Sequence, residues 1–146
     1  MLNKELFYNT IKPFEINVDE DAFSRLDTFA ERLIETNKSF NLTAIKEPDD
    51  VTVKHFADCL SIFKYVDIPE NSKIIDVGTG AGFPGLALKI AYPNLKITLL
   101  DSLNKRINFL NEVILQLGLT GIVTVHGRAE DFAKRSEERR VGKECV

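Results

Sequence analysis

Apolar side chains in the first 70 residues recur at the spacing of an amphipathic helix. The clearest stripe predicts a helix over residues 19–38 that begins at Asp19, a residue type favoured at helix N-termini. Its apolar positions, three or four residues apart, are Phe23, Leu26, Ala30, Leu33 and Ile34. A shorter helix is predicted over about residues 2–12. Residues 1–70 are therefore expected to form an N-terminal helical segment.

A third helix is predicted from Pro48, where two acidic residues follow the proline in the first turn. Its predicted apolar face comprises Val53, Phe56, Ala57, Leu60 and Phe63. Pro69 indicates its end, because proline cannot continue a helix. Between the second and third helices, residues 41–45 are predicted to form a turn.

From residue 73 onward, short apolar runs alternate with helical periodicity. Strands are predicted over residues 73–77, 95–100 and 121–126. Helices are predicted over about residues 83–91 and 104–117, with Gly118 as the C-cap of the second. Strands that alternate with helices are typical of a parallel sheet, so the predicted fold class is α/β.

A glycine-rich loop follows the first predicted strand. Its glycines are Gly78, Gly80, Gly82 and Gly85, and Pro84 suits a first helical turn. Glycine tolerates positive φ and lets a ligand approach the backbone closely. Residues 80–85 satisfy the pattern G-x-G-x-x-G, which favours a pyrophosphate at a helix N-terminus. We therefore expect a small ligand on this loop.

Two carboxylates near the loop narrow the choice of ligand. Asp76 lies two residues before the first glycine, where its charge would repel a pyrophosphate and attract a cation. S-adenosylmethionine carries a sulfonium and an ammonium group. Asp101 follows the second strand, about 20 residues past the loop, where such folds hydrogen-bond a ribose. That role fits NAD and S-adenosylmethionine equally, so it is Asp76 that favours the methyl donor.

The composition is that of an ordinary globular domain, with 146 residues, a net charge of −3, 44% apolar residues and 28% charged residues. No apolar run is long enough to span a membrane, and the N-terminus lacks the apolar region of a signal peptide, so a cytoplasmic protein is expected. Cys59 and Cys145 offer no metal-ligand spacing, so no metal is expected. The negative charge neither indicates nor excludes binding to a nucleic acid.

The last twelve residues, 135–146, show no apolar face, and seven of them are charged. The run from Arg135 resembles the in-frame translation of a common sequencing-library adapter. Residues 135–146 are therefore predicted to be a non-native tail and are excluded from the predicted fold. Without them, half of a doubly wound domain is expected, with its first strand at an edge and with low stability.

Several motifs, taken in order along the chain, resemble the glucose-inhibited division protein B family of bacterial 16S ribosomal RNA guanine-N7 methyltransferases. The motifs lie at residues 41–45, 54–60, 75–85, 99–106 and 128–130. The Gly-Phe-Pro-Gly sequence at residues 82–85 separates this family from other methyltransferases. The resemblance implies a partial Rossmann-like, S-adenosylmethionine-dependent methyltransferase core. Residues 71–134 would be its first half, preceded by the helical segment.

The resemblance also implies a cofactor site. Its residues would be Asp76, Gly78, Gly80, Phe83, Asp101, Ala129 and Glu130. Asp101 would hold the ribose hydroxyls and Asp76 the methionine ammonium, while Phe83 would line the site and Ala129-Glu130 would lie beside the adenine. The roles of these last three residues come from the resemblance alone. The family's subsequent Ala-Arg-Ala segment has no counterpart in residues 135–146.

The function that the resemblance implies is methyl transfer from S-adenosylmethionine to N7 of guanosine 527 in 16S ribosomal RNA. No catalytic residue is assigned, because N7 has an in-plane lone pair and loses no proton on methylation. His55 and His126 are accordingly expected to be structural. The expected partner is 16S ribosomal RNA in the small subunit or its precursor, with no membrane involved, and the protein is expected to be a monomer. Two alternatives stay open: a noncatalytic fragment that at most binds the cofactor, and an NAD-binding Rossmann protein.

Overall fold

Two helices open the chain before any strand appears. The computed structural model describes residues 1–138, and the side chains of residues 1–133. Helix α1 spans Lys4–Ile11 and is followed by a single 3₁₀ turn, and helix α2 spans Glu20–Asn37. Both fall within the ranges that the apolar spacing predicts.

Helix α2 begins and packs as its sequence predicts. The Asp19 carboxylate caps it by accepting a hydrogen bond of 2.7 Å from the Ala22 N–H. Four of the five predicted core positions are buried and Ile34 is partly buried. The buried four are Phe23, Leu26, Ala30 and Leu33. The predicted stripe is therefore the face that α2 turns toward the core.

Residues 48–65 form a nearly continuous helical segment with a wide stretch inside it. Its parts are α3 (Pro48–Asp50), a π-helical stretch (Val51–Ala57), α4 (Asp58–Leu60) and α5 (Ile62–Tyr65). A π-helix has more residues in each turn than an α-helix, so the buried face shifts. Val51 and Thr52 are fully buried, whereas the predicted core residue Val53 is only half-buried. The helix is confirmed, but its buried face differs from the predicted one at these positions.

The second half of the described chain is built on a three-stranded parallel sheet. The strands, in their spatial order, are β1 (Lys73–Val77), β2 (Lys96–Asp101) and β3 (Ile122–His126). The predicted α/β class and parallel sheet are confirmed. In the register, Asp76 pairs with Leu99 and Asp101 pairs with His126. The loops that follow the strands therefore converge at one edge of the sheet, where ligands bind in such folds.

A helix follows each strand. These are α6 (Gly85–Ala91), α7 (Asn104–Leu117) and α8 (Ala129–Glu138). Both α6 and α7 contact α2, so a single hydrophobic cluster joins the helical segment to the sheet. Gly118 ends α7 with a φ of 63°, as expected of a glycine C-cap. The division of the chain into residues 1–70 and 71–134 as separate domains stays a prediction.

Strand β1 lies at the edge of the described sheet, since among the described residues it pairs with β2 alone. Its last residue, Val77, is 57% exposed. The edge position agrees with the prediction, while the predicted low stability stays a prediction. Helix α8 runs to Glu138, and residues 139–146, the larger part of the predicted tail, lie outside the described residues.

Candidate functional site

The loop between β1 and α6 is fixed to the neighbouring strand. The N–H groups of Gly78 and Thr79 both donate to the carbonyl oxygen of Leu100, at 2.8 and 3.0 Å. Gly80 has a φ of 59°, a conformation that favours glycine, and a Cβ there would meet nothing within 4 Å. The outer side of the loop is therefore open to an approaching ligand.

The start of α6 lies in close contact with the sheet. A Cβ on Gly85 would lie 2.5 Å from Leu99 Cδ2 and 2.8 Å from Asp76 Oδ2. Because glycine has no Cβ, the Gly85 N–H reaches Asp76 Oδ2 and donates a hydrogen bond of 2.9 Å. The last glycine of the motif thus permits close packing of helix on strand.

Asp76 is buried between the loop and the first turn of α6, with 9% of its surface exposed. Its Oδ2 accepts hydrogen bonds from the Thr79 hydroxyl, at 2.6 Å, and from the Gly85 N–H. Burial raises the pKa of Asp76, and these two hydrogen bonds oppose the increase. Neither bond uses Oδ1. A carboxylate that is disfavoured by burial gains from a nearby cation, so this position suits a positively charged ligand group.

Asp101 joins the glycine loop to the end of β2. Its Oδ2 accepts a hydrogen bond of 2.9 Å from the Gly80 N–H, and its Oδ1 accepts one of 2.9 Å from the Leu103 N–H. Nη1 of Arg106 lies 3.6 Å from Oδ1. Only 3% of the Asp101 surface is exposed. These contacts hold the carboxylate in a fixed orientation at the carboxyl end of the sheet.

A cavity of about 300 Å³ opens at this end of the sheet. Ligand pockets in proteins begin at roughly this volume. Four of the seven predicted site residues line it: Gly78, Asp101, Ala129 and Glu130. The structure therefore brings together residues from the ends of all three strands, although they lie more than 50 positions apart in the sequence.

The three remaining predicted residues lie beside or away from this cavity. Gly80 and Asp76 do not line it, but each is bonded to a residue of the loop or of the cavity wall. Phe83 packs instead among rings of the helical segment. Its ring stacks on Phe29 with centroids 5.1 Å apart and lies edge-on to Phe56 at 5.1 Å. Phe83 thus has a packing role, and its place in the cofactor site stays a prediction.

Three residues of this site were not predicted. Arg106 and Arg128 line the cavity with Asp101 and Glu130, so its wall carries both signs of charge. Arg106 stands in the first turn of α7, where a side chain can reach back toward the end of β2. The Thr79 hydroxyl that binds Asp76 was missed because a short polar residue between glycines is common in turns.

The histidines and the described cysteine show no arrangement for acid–base or nucleophilic chemistry. Burial raises the pKa of the Cys59 thiol to about 12, which keeps it protonated at neutral pH. Burial lowers the pKa of His55, whose Nε2 is 2.7 Å from the Thr43 hydroxyl. His126 Nε2 lies 3.0 Å from the carbonyl oxygen of Ser102. Each of these contacts fits the structural role expected of the residue.

Within residues 1–138, no helix combines the length and the apolar character needed to cross a membrane. The same part of the chain contains no cluster of three or more histidine, cysteine, aspartate or glutamate side chains that could hold a metal ion.

Comparison with known proteins gives consistent matches. The model of the rRNA small subunit methyltransferase G family matches residues 22–141, which reaches into the predicted tail. The chain is 50% identical to ribosomal RNA small subunit methyltransferase G of Desulforamulus reducens over 128 residues, which cover 88% of this chain and 53% of that protein. It is 46% identical to the protein of that name from Clostridium botulinum over 138 residues, covering 92% of this chain and 58% of that protein. The chain spans about half the length of the curated relatives that it matches.

Proposed function

Because the chain belongs to the rRNA small subunit methyltransferase G family, we propose that the protein transfers a methyl group from S-adenosylmethionine to N7 of guanosine 527 in 16S ribosomal RNA. The family is one of methyltransferases whose named substrate is the RNA of the small ribosomal subunit. The methyl donor, the nucleotide and the atom are our inference. We also place the protein in the cytoplasm, with its proposed substrate, and expect it to act as a monomer.

The observation that carries the proposed binding of a ribose-containing cofactor is the position of Asp101. Its carboxylate lies at the carboxyl end of β2, is almost fully buried and is bonded to the glycine loop through Gly80. A carboxylate oxygen has two lone pairs, so each oxygen of Asp101 keeps one after accepting its backbone N–H. Because Asp101 lines the cavity, we infer that these remaining lone pairs accept hydrogen bonds from the two hydroxyls of a ribose.

Asp76 supports S-adenosylmethionine over NAD. A pyrophosphate on the glycine loop would bring negative charge toward a carboxylate that burial already destabilises. The ammonium group of the methionine would instead pair with it, directly or through a water molecule. Ala129 and Glu130 also line the cavity, and we place the adenine beside them. Phe83 is proposed to border the same site from the loop, although its ring faces the helical segment.

The proposed reaction needs positioning and no proton transfer. When bound, the cofactor supplies an electrophilic methyl group. Guanine N7 has an in-plane lone pair and carries no proton, so transfer would form the N7–methyl bond, break the methyl–sulfur bond and leave S-adenosylhomocysteine, and this chain would need no general base. The contribution of this chain is orientation: Asp101 holds one end of the donor and Asp76 holds the other, so the methyl group can be aligned with N7. Their fixed hydrogen bonds to backbone N–H groups keep both carboxylates in place before the donor arrives.

A second candidate is a noncatalytic fragment that binds the cofactor only. It is favoured by one observation, that the chain spans about half the length of its relatives. The guanine pocket of the whole protein would then involve residues beyond those described. Binding and turnover therefore need separate tests.

Cofactor binding is tested by titration calorimetry of the 146-residue chain with S-adenosylhomocysteine. We expect saturable binding that weakens at least tenfold in Asp101→Ala. Asp101→Asn serves as a second variant, because it keeps the size of the side chain. In the proposed complex two backbone N–H groups and two ribose hydroxyls donate to the carboxylate, and the single amide oxygen of asparagine can accept from only two of these four donors. Circular dichroism of both variants separates lost binding from lost folding. Wild-type chain that releases no heat and is not stabilised thermally by the ligand would overturn the proposed cofactor.

Turnover is tested with the full-length protein and a fragment of 16S ribosomal RNA that contains the target guanosine. Transfer of a labelled methyl group is expected, and replacing that guanine by 7-deazaguanine should abolish it, since the analogue has carbon in place of N7. Unchanged transfer to the 7-deaza substrate would exclude N7 as the acceptor. Titration with NADH is expected to give no saturable fluorescence change.

A further inference from the structure

The glycine loop is held from two sides that differ in chemistry. On the sheet side, Asp76 and Asp101 accept hydrogen bonds from its backbone. On the side of the helical segment, the loop is held by apolar contact: a Cβ on Gly82 would lie 3.2 Å from Phe29 Cζ, and the Phe83 ring stacks on Phe29. Any residue that sets the position of Phe83 therefore also acts on the loop.

His55 is a polar ring in contact with Phe83. The two rings are nearly parallel, with an interplanar angle of 7° and centroids 4.5 Å apart. His55 lies in the π-helical stretch, whose wide turn also places the neighbouring Phe56 against Phe83. Stacked aromatic rings stabilise each other beyond the area that they bury.

The edge of the same imidazole is bonded to the turn at residues 41–45. His55 Nε2 is 2.7 Å from the hydroxyl oxygen of Thr43. That hydroxyl also accepts a hydrogen bond from the Ile45 N–H, and the Thr43 N–H donates to the side chain of Asn37 at the end of α2. The turn is thus well fixed, and His55 links it to the loop.

A phenylalanine at this position would preserve the stacking but lose the bond to Thr43, and an asparagine would preserve a bond but lose the ring. An imidazole supplies both. Burial lowers the pKa of His55, so the ring is neutral at pH 7 and can accept a hydrogen bond from the Thr43 hydroxyl.

We propose that His55 is a positioning residue for the cofactor loop, which it places by stacking on Phe83 while its Nε2 is bonded to Thr43. Through this contact the 41–45 turn of the helical segment sets the geometry of the loop. The inference rests on the proposed binding of S-adenosylmethionine to that loop. It assigns to the helical segment a role in preparing the cofactor site, in addition to covering the sheet.

The test compares the affinity for S-adenosylhomocysteine of the 146-residue chain with that of Thr43→Val, His55→Phe and the double variant, by calorimetry. Each single change removes the same hydrogen bond, so each is expected to weaken binding about three- to tenfold. The double variant should bind no more weakly than the weaker single variant. Thr43→Ser keeps the hydroxyl, so this variant should bind S-adenosylhomocysteine as tightly as the wild type does.

The matched control is Thr10→Val, which removes a hydroxyl that donates to the Leu6 carbonyl oxygen at 2.7 Å in α1. It should leave the affinity unchanged. Single variants that bind as the wild type does, or effects that multiply in the double variant, would overturn the inference. A purely structural role would lower the melting temperature without this non-additive effect on affinity.

A second measurement separates failure of the inference from failure of the proposed function. Hydrogen exchange of the backbone amides of residues 80–83, 85 and 86 is recorded without any ligand. If the wild-type chain does not bind S-adenosylhomocysteine, the proposed cofactor is wrong, and the exchange rates alone then test the positioning role of His55. Faster exchange at these amides in Thr43→Val than in Thr10→Val supports the positioning role, and equal exchange overturns it.

Discussion

Replacing Asp76 by asparagine should separate the stability of this fold from its ability to bind the cofactor. Both hydrogen bonds of Asp76 in the structure end on the same oxygen, Oδ2, with donors from Thr79 and Gly85. An asparagine can place its only carbonyl oxygen at that point and keep both bonds. The variant therefore loses the negative charge and retains the local geometry.

The sign of the effect on stability follows from the pKa. Burial raises the folded-state pKa of Asp76 above its unfolded value. Such a group stabilises the native state below the unfolded pKa, near 4, and this contribution is lost as pH rises through the folded pKa. Ionisation of the buried carboxylate therefore lowers stability, by about 1.4 kcal/mol for each tenfold difference in its acidity constant between the unfolded and folded states. Asp76→Asn should be as stable as the wild type at pH 7 or more stable.

Cofactor affinity should change in the opposite direction. A hydrogen bond to a charged group contributes about 1.5–3 kcal/mol, so loss of the carboxylate should weaken S-adenosylhomocysteine binding roughly 10- to 150-fold. Urea denaturation at pH 5 and pH 7 measures the stability, and calorimetry measures the affinity. Thr79→Val is the contrasting variant: it removes a donor from a buried charge and should cost about 1–3 kcal/mol. The reasoning fails if Asp76→Asn loses more than about 1 kcal/mol at pH 7 or binds the ligand as tightly as the wild type.

Three further outcomes are expected. Gly85→Ala should lower the free energy of unfolding by about 1–3 kcal/mol in urea denaturation, because its Cβ would lie 2.5 Å from Leu99 Cδ2. Burial depresses the folded-state pKa of His55, so the contribution of this residue to stability is present above the unfolded pKa, near 6.5, and is lost as pH falls through the folded pKa. In His55→Phe the melting temperature should therefore fall less steeply as the pH is lowered below about 6.5. In a Cys145→Ser background, Cys59, with its pKa raised to about 12, should react with a thiol reagent at pH 8 only after denaturation, and rapid reaction of the native protein would contradict the burial argument.

Local patterns predicted most of the secondary structure because each element carries its own periodicity. The stripe of α2 and the alternation that gives β1, β2 and β3 are visible in the sequence, and the structure confirms them. The ends of a helix or strand depend on single residues, and some observed ends differ from the predicted ones by one or two residues. The strand β2 includes Asp101, one residue beyond the predicted end, and α6 begins at Gly85, after the predicted start at residue 83.

The wide helical turn at Val51–Ala57 could not be predicted, because its sequence fits an ordinary α-helix equally well. Tertiary packing selects the π geometry: it buries Val51 and Thr52 and carries His55 and Phe56 to the ring of Phe83. The same packing decided that Phe83 faces the helical segment. A motif identifies a residue as part of a loop, but it does not give the direction of its side chain.

Periodicity and the backbone freedom of glycine were enough to predict the order of helices and strands, the glycine loop, and the placement of Asp76 and Asp101 near the ends of the first two strands. The folded chain is needed to specify what the carboxylates hold. It directs Asp76 to Gly85 and Asp101 to Gly80, and it brings the end of β3 to the same cavity. Hydrogen bonds and cavities depend on distances between strands, and the neighbours of a residue along the chain do not specify those distances.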